Sequence, residues 1–271
     1  MLEYNLYNDD CMRVLPTLPT GSVDFVLADP PYGVTARNDW DRQLDMESLW
    51  PEIWRVCTGN AAVVLFSSGM FTANLMYSCQ RAWRYNLVWH KTEPTGFLNA
   101  RRMPLRGHED ICVFYRKLPY YNPIKTTGHA RKVSSAASKA KCRISTNYNE
   151  SENSAADYDS TERFPTSILT FSTDKQKPYG RLHPTQKPQA LCEWLIRTYC
   201  PEGGTVLDFC MGSGTTGAAA KQCVRSFIGI ELDDAYFATA VDRIGPCTRV
   251  CTIDAQPVSP ALPHDCEPVA V

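Results

Sequence analysis

One segment constrains the fold of this chain more than any other: Val206-Leu207-Asp208-Phe209-Cys210-Met211-Gly212-Ser213-Gly214-Thr215-Thr216-Gly217. It reads as an apolar strand, a glycine turn and the start of a helix. Glycine turns sharply and lets the backbone approach a ligand with no Cβ in the way. The helix start offers free N–H groups to a carboxylate or phosphate. The following strand, Phe227 to Ile230, ends at Glu231, an acid placed to accept ribose hydroxyls. Strand, turn, helix and acid in that order belong to an α/β sheet that binds its ligand at the carboxyl ends of its strands. The loop also satisfies G-x-G-x-x-G with an acid about 20 positions on, the pattern of a dinucleotide site. By itself it leaves NAD open.

The rest of the sequence supplies the alternation such a sheet needs. Short β-branched or aromatic runs predict strands at Val23 to Ala28, Ala61 to Phe66, Tyr85 to His90, Asp110 to Tyr115, Thr205 to Phe209 and Ser226 to Glu231. Helix-like stretches lie between them, at Met46 to Cys57, Phe71 to Ala82, Gln189 to Tyr199, Thr215 to Cys223 and Asp234 to Ile244. The pattern predicts a mostly parallel sheet with helices on both faces. Residues 117–165, polar and without clear periodicity, read as an insertion. Residues 253–271, with Pro257, Pro260, Pro263 and Pro268, read as a loose tail.

A second motif narrows the chemistry. The strand Val23 to Ala28 delivers Asp29-Pro30-Pro31-Tyr32 at its carboxyl end. Consecutive prolines fix φ and restrict the residue before each, so the loop is rigid. Asp29 and the carbonyl of Pro30 are two acceptors, and Tyr32 is an aromatic face. This set suits an exocyclic amine, whose lone pair is delocalised into its ring. Two acceptors on its two N–H bonds favour a pyramidal nitrogen and free the lone pair. The aromatic ring holds the base flat by stacking. The carboxylate offsets the positive charge that builds on nitrogen. No covalent intermediate and no catalytic cysteine is needed. A dehydrogenase does not need this motif, and a dinucleotide half-fold usually opens its domain, whereas this glycine loop lies late in the chain. Both facts weigh against NAD.

Charge bears on the partner. The formal net charge is −1, so the chain as a whole is not a basic nucleic-acid binder. Its distribution is uneven. From Arg116 to Asn149 the cations are Arg116, Lys117, Lys125, Arg131, Lys132, Lys139, Lys141 and Arg143, with no Asp or Glu between them. The next stretch reverses sign at Glu150, Glu152, Asp157, Asp159 and Glu162. One locally basic segment on a neutral protein fits a surface that grips a polyanion. Arg101, Arg102 and Arg106 form a second basic cluster, readable as a surface loop or as a phosphate clamp. No apolar run reaches the roughly 18 residues of a membrane span. The residues from Met1 to Asn5 do not read as a signal peptide. The expected location is cytoplasmic, with no membrane partner. The 12 cysteines include no C-x-x-C pair, which predicts free thiols and no metal site.

The sequence resembles the amino-methylating DNA methyltransferases (adenine-N6 and cytosine-N4) of the β arrangement, in which the catalytic motif precedes the cofactor motif. It looks like their stand-alone or phage-borne members. Three segments carry the resemblance: Asp29-Pro30-Pro31-Tyr32, Leu207 to Gly217, and His183-Pro184-Thr185-Gln186-Lys187-Pro188. It covers residues 1–116 and 165–245. It implies an α/β fold with a seven-stranded Rossmann-like sheet, one strand antiparallel, circularly permuted so that both ends of the chain build it. It implies a catalytic domain of residues 1–116 and 166–252, an inserted target-recognition region at 117–165 and a flexible tail at 253–271.

The resemblance also implies S-adenosyl-L-methionine as cofactor. Asp208, Phe209, Cys210, Gly212, Ser213, Gly214, Thr215 and Thr216 would line it, Glu231 would hold its ribose and Asp10 its adenine amino group. Thr185 and Lys187 would close over its carboxylate, and Asp29 would border both cofactor and base. Asp29, Pro30, Pro31 and Tyr32 would carry catalysis on a base flipped from double-stranded DNA. Arg101, Arg102, Arg106, Lys125, Arg131, Lys132, Lys139 and Lys141 would bind that DNA, and Asn147, Tyr148 and Asn149 would contribute base or stacking contacts. Asp-Pro-Pro-Tyr implies N6 of adenine, with N4 of cytosine the alternative. A catalytically inactive DNA- or cofactor-binding protein is the alternative of another class. One departure stands out: members often read Asp-Pro-Phe where this chain has Asp208-Phe209-Cys210, so the aromatic sits one place early. A homodimer and a cognate restriction endonuclease are partners the resemblance allows and no sequence feature shows.

Overall fold

The computed structural model describes residues 2–33, 44–135, 157–173, 186–245 and 248–253. The strands are β1 Tyr4–Asn8, β2 Val23–Ala28, β3 Cys57–Ser67, β4 Trp83–Thr95, β5 Arg106–Phe114, β6 Lys132–Ser134, β7 Tyr158–Ser160, β8 Ile168–Phe171, β9 Thr205–Asp208, β10 Ser226–Glu231 and β11 Thr248–Cys251. The α-helices are α1 Cys11–Val14, α2 Met46–Val56, α3 Met70–Ser78, α4 Gln189–Tyr199, α5 Thr215–Gln222 and α6 Asp234–Ile244. Among the described residues, nine strands form one sheet in the order β11-β1-β10-β9-β2-β3-β5-β4-β8. Every neighbouring pair is parallel except the two that β5 makes. Strands β6 and β7 form a separate antiparallel ribbon.

The mixed α/β sheet and its single antiparallel strand agree with expectation, but the count of seven strands needs correction. The run from β1 to β4 in spatial order holds seven, and β11 and β8 extend its two edges. Each of these is four residues long. Ile168 in β8 and Val250 in β11 lie largely exposed. Neither strand carries the apolar run that marks a buried one, which is why the sequence did not announce them.

Two cores sandwich the sheet. Along β2, Phe25 and Leu27 enter the core under α4, α5 and α6, while Val26 and Ala28 enter the core under α1, α2 and α3. A strand buried on both faces reads as a continuous apolar run. Burying each large side chain contributes roughly 1.5–3 kcal/mol. Asp233 caps α6 by accepting from the N–H groups of Ala235 and Tyr236, both at 2.9 Å. Such a cap contributes about 1 kcal/mol and fixes where the helix starts.

Register places the site. Asn8 pairs with Glu231, Gly229 with Asp208, and Val26 with Leu207. The carboxyl ends of β1, β10, β9 and β2 therefore lie side by side, and Asp10, Glu231, Asp208 and Asp29 emerge along one edge of the sheet.

Candidate active site

Asp29 leaves β2 where Pro30 and Pro31 end the strand. Tyr32 folds back and its hydroxyl donates to Asp29 Oδ1 at 2.7 Å. Its ring stacks on Phe71 of α3, centroids 5.0 Å apart. The other oxygen, Asp29 Oδ2, accepts from Lys187 Nζ at 2.5 Å. Lys187 stands just before α4, only 6% exposed. Its ammonium also lies 3.3 Å from Glu109 Oε2 on β5, and Glu109 Oε1 accepts from Lys91 Nζ on β4 at 2.5 Å. Four alternating charges thus run across the mouth of the sheet: Asp29, Lys187, Glu109, Lys91. Burial pushes the Asp29 carboxyl above its ordinary range, with Lys187 and Tyr32 pulling the other way. Burial alone would raise Glu109 too, but Lys187 and Lys91 together hold it below the usual value. Burial opposes the charge on Lys187, and Asp29 and Glu109 outweigh it, so the ammonium is held above its ordinary value.

The glycine loop follows β9. Asp208 Oδ1 accepts from the Cys210 N–H at 3.1 Å. Glu231 Oε2 accepts from the Gly212 N–H at 2.7 Å, and its Oε1 from the Asp233 N–H at 2.8 Å. Arg243 of α6 donates to Thr215 Oγ1 at 2.8 Å and so ties the start of α5 to its neighbour. Ser213, Thr215 and Thr216 are buried in this turn. Asp10 caps α1 through the Met12 N–H at 2.8 Å. Phe209, one place early in the motif, is 1% exposed and packs in the core under α1, α2 and α3. Cys210 takes the partly exposed position beside the loop.

Asp208 is 3% exposed. Burial pushes its carboxyl up to about 7, against hydrogen bonds from Thr216 and Cys210 that lower it. The sign of the linkage follows. Below its ordinary value of 3.8 the group is protonated in both folded and unfolded chains. As pH rises from there to about 7, the unfolded chain ionises first and stability is lost. Asp208→Asn should remove this slope. Urea unfolding at pH 5 and pH 8 should show wild type losing up to about 4 kcal/mol more than the variant across the full range. Parallel pH curves for the two proteins would count against a buried, raised Asp208.

The cations offered for DNA separate into two groups. Lys125 pairs with Glu162 at 2.9 Å, and Arg131 makes a bidentate pair with Asp159 at 2.7 and 2.5 Å. The basic stretch is thus partly matched by the acidic one that follows it. Lys132 is exposed at the start of β6. Arg101, Arg102 and Arg106 are exposed on the connection from β4 to β5 and form no ion pair among the described residues. Exposed Phe97, Leu98 and Met103 accompany them. Thr185, Lys139, Lys141, Asn147, Tyr148 and Asn149 lie outside the described residues, as does the tail beyond residue 253. Among the described residues no helix is long and apolar enough to cross a membrane. Sequence reasoning missed Glu109, Lys91 and Arg243. A charged residue inside a strand, as in Trp89-His90-Lys91 and His108-Glu109-Asp110, was the only signal for the first two.

The order of motifs, the sheet and the acid-lined mouth define an amino-methylating enzyme class. The family of N6/N4 enzymes described as DNA methylase matches residues 23–242, and the chain belongs to it. It is similar to the Type II methyltransferase M.HpaI of Haemophilus parainfluenzae, 27% identical over 253 residues that span 90% of this chain and 74% of that one. It is also similar to the Type II methyltransferase M.HinfI of Haemophilus influenzae, 26% identical over 262 residues, 87% of this chain and 66% of the relative. Among solved structures, its fold resembles the M1.HpyAVI complex with SAM, TM-score 0.61 at 21% identity, over 90% of this chain and all of that one. It also resembles the cytosine-N4-specific PvuII DNA methyltransferase, TM-score 0.63 at 14% identity, over 91% of this chain and 88% of that one. A third likeness is TTHA0409 of Thermus thermophilus, a DNA modification methylase complexed with S-adenosyl-L-methionine, TM-score 0.59 at 21% identity, over 91% of this chain and 97% of that one.

Proposed function

We propose that this chain transfers a methyl group from S-adenosyl-L-methionine to N6 of adenine in double-stranded DNA, at a base turned out of the duplex. The observation that carries the reading is Asp29, held in place at the carboxyl end of β2 beside the glycine loop of β9. The donor fits the site on chemical grounds. Asp10, Asp29, Asp208 and Glu231 line the mouth with carboxylates, which suit a ligand bearing a sulfonium, an ammonium and ribose hydroxyls. Bound there, S-adenosyl-L-methionine supplies an electrophilic methyl group. Asp29 and the Pro30 carbonyl accept the two N–H bonds of the target amine. Tyr32, backed by Phe71, stacks on the base. The Asp29 carboxylate stabilises the charge that develops on nitrogen. An aspartate at this position supports adenine, since in the resembling family a serine there more often accompanies cytosine.

We assign residues 117–165 to target recognition and Arg101, Arg102 and Arg106 to the phosphate backbone. In support, the ribbon of β6 and β7 stands apart from the main sheet, and the three arginines lie on the connection that leads into the strand of Glu109. The test is to incubate the protein with methyl-labelled donor and unmethylated genomic DNA, digest the DNA and separate the nucleosides. N6-methyladenine is the expected product. N4-methylcytosine as the sole product overturns the adenine assignment. Binding of both donor and DNA with no label transferred makes the chain an inactive binding protein.

A further inference from the structure

We infer that Glu109 is a positioning residue for methyl transfer: it receives the Lys187 ammonium when the target amine takes Asp29 Oδ2. This rests on the reading of Asp29 given above. Lys187 Nζ stands between two carboxylates, 2.5 Å from Asp29 Oδ2 and 3.3 Å from Glu109 Oε2. Phe66 and Tyr32 wall it, with ring centroids 5.1 and 5.5 Å from the nitrogen. Glu109 Oε2 is buried and makes no hydrogen bond, whereas Oε1 is fixed by Lys91. A buried carboxylate oxygen without a hydrogen bond costs free energy unless something takes it up. The nearest cation is Lys187, already aimed at it. A small shift of the ammonium exchanges one hydrogen bond for another inside the same pocket, and the four-charge row stays neutral throughout.

The exchange matters because Asp29 is crowded. Oδ1 accepts from Tyr32 and Oδ2 from Lys187. A target amine needs a lone pair of Asp29, and a cation fastened to Oδ2 alone competes for it and weakens it as an acceptor. With Glu109 present, Lys187 has a second anchor of equal charge. With Glu109 neutral, Lys187 has only Asp29 and the amine must displace it. Lys91 keeps Glu109 in position from the far side. The groups facing Asp29 are Lys187, Glu109 and Tyr32, with Asp208 and Cys210 from the cofactor loop and Cys192 from α4.

Glu109→Gln keeps the shape and removes the charge. It is expected to lower kcat by about 10²-fold, the scale of a misplaced reacting group, with donor binding by calorimetry unchanged. The acid limb of the rate profile, where Asp29 takes up a proton, should move to lower pH, because Glu109 no longer raises that carboxyl. Lys187→Met should move the same limb to higher pH. Glu109→Asp, which keeps the charge, should recover part of the rate and the wild-type limb. An undiminished kcat in Glu109→Gln, a fall with the acid limb unmoved, or shifts of the same sign in Glu109→Gln and Lys187→Met would overturn the inference. Lys187→Met reads the charge row independently if Glu109→Gln does not fold. Absence of DNA labelling by the wild type is a different result, and it overturns the methyl-transfer reading instead.

Discussion

Asp29→Ala is expected to abolish methyl transfer while the chain stays folded and binds its donor. The acceptor that activates the amine and the charge that steadies the developing cation leave together. Loss of one preorganised electrostatic partner costs on the order of 10²–10³-fold in rate, and Asp29 fills two such roles. Structure argues that the fold survives. Breaking a buried ion pair typically costs about 3–5 kcal/mol, because the partner is left uncompensated. Here Lys187 keeps Glu109 at 3.3 Å, so the loss should fall below that range. Donor binding should change by no more than a few-fold, since Glu231 and the glycine loop are untouched. Label incorporation into genomic DNA measures the first effect, thermal melting the second and calorimetry the third. A variant that transfers methyl groups at near the wild-type rate would remove Asp29 from the chemistry. A variant that loses donor binding would place it in the cofactor site alone.

How much of this was legible in the sequence depends on where each residue gets its partners. Strands β2 and β10 match their sequence-predicted limits because both are apolar on two faces and need no partner to be recognised. Helix α6 does so because Asp233 marks its start. Strands β1, β8 and β11 were missed because only one or two residues of each face a core. In the site, Asp29, Lys187, Asp208 and Glu231 each sit in a run with its own chemistry, so a local reading found them. Glu109 and Lys91 acquire meaning only when β4 and β5 lie side by side and α4 brings Lys187 against them. The same limit applies to DNA contacts. Composition showed the reversal of sign after Asn149, but not that Arg131 and Asp159 meet across the ribbon of β6 and β7. Phe209 shows the converse: a departure by one place in a motif turned the aromatic into the core.

The second large effect is expected from Gly212→Val, which should lose donor binding with the fold retained. Gly212 has φ +52°, in the left-handed region that costs an L-residue roughly 1–2 kcal/mol and suits a β-branched side chain least. That strain is modest against the stability of a domain. Space decides the rest. No atom lies within 4 Å of a Cβ built on Gly212, so the new side chain meets open space and not the core. That space adjoins the loop between Asp208 and Glu231, where the donor is proposed to bind. The Gly212 N–H also donates to Glu231 Oε2, and any backbone relief would turn that carboxylate away from a ribose. Gly214 provides the contrast. A Cβ there would sit 2.9 Å from Ala240 Cβ and 3.0 Å from its Cα, so Gly214→Ala should act through the packing of α5 on α6. Calorimetry with S-adenosyl-L-methionine and urea unfolding separate the two. Gly212→Val should weaken binding by about 10²-fold or more, equivalent to roughly 2.7 kcal/mol, for a smaller loss of stability. Gly214→Ala should show the larger loss of stability. If Gly212→Val binds the donor within a few-fold of wild type, the turn after β9 is not the cofactor cradle, and the acidic mouth must hold its ligand from Asp10 and Glu231 without it.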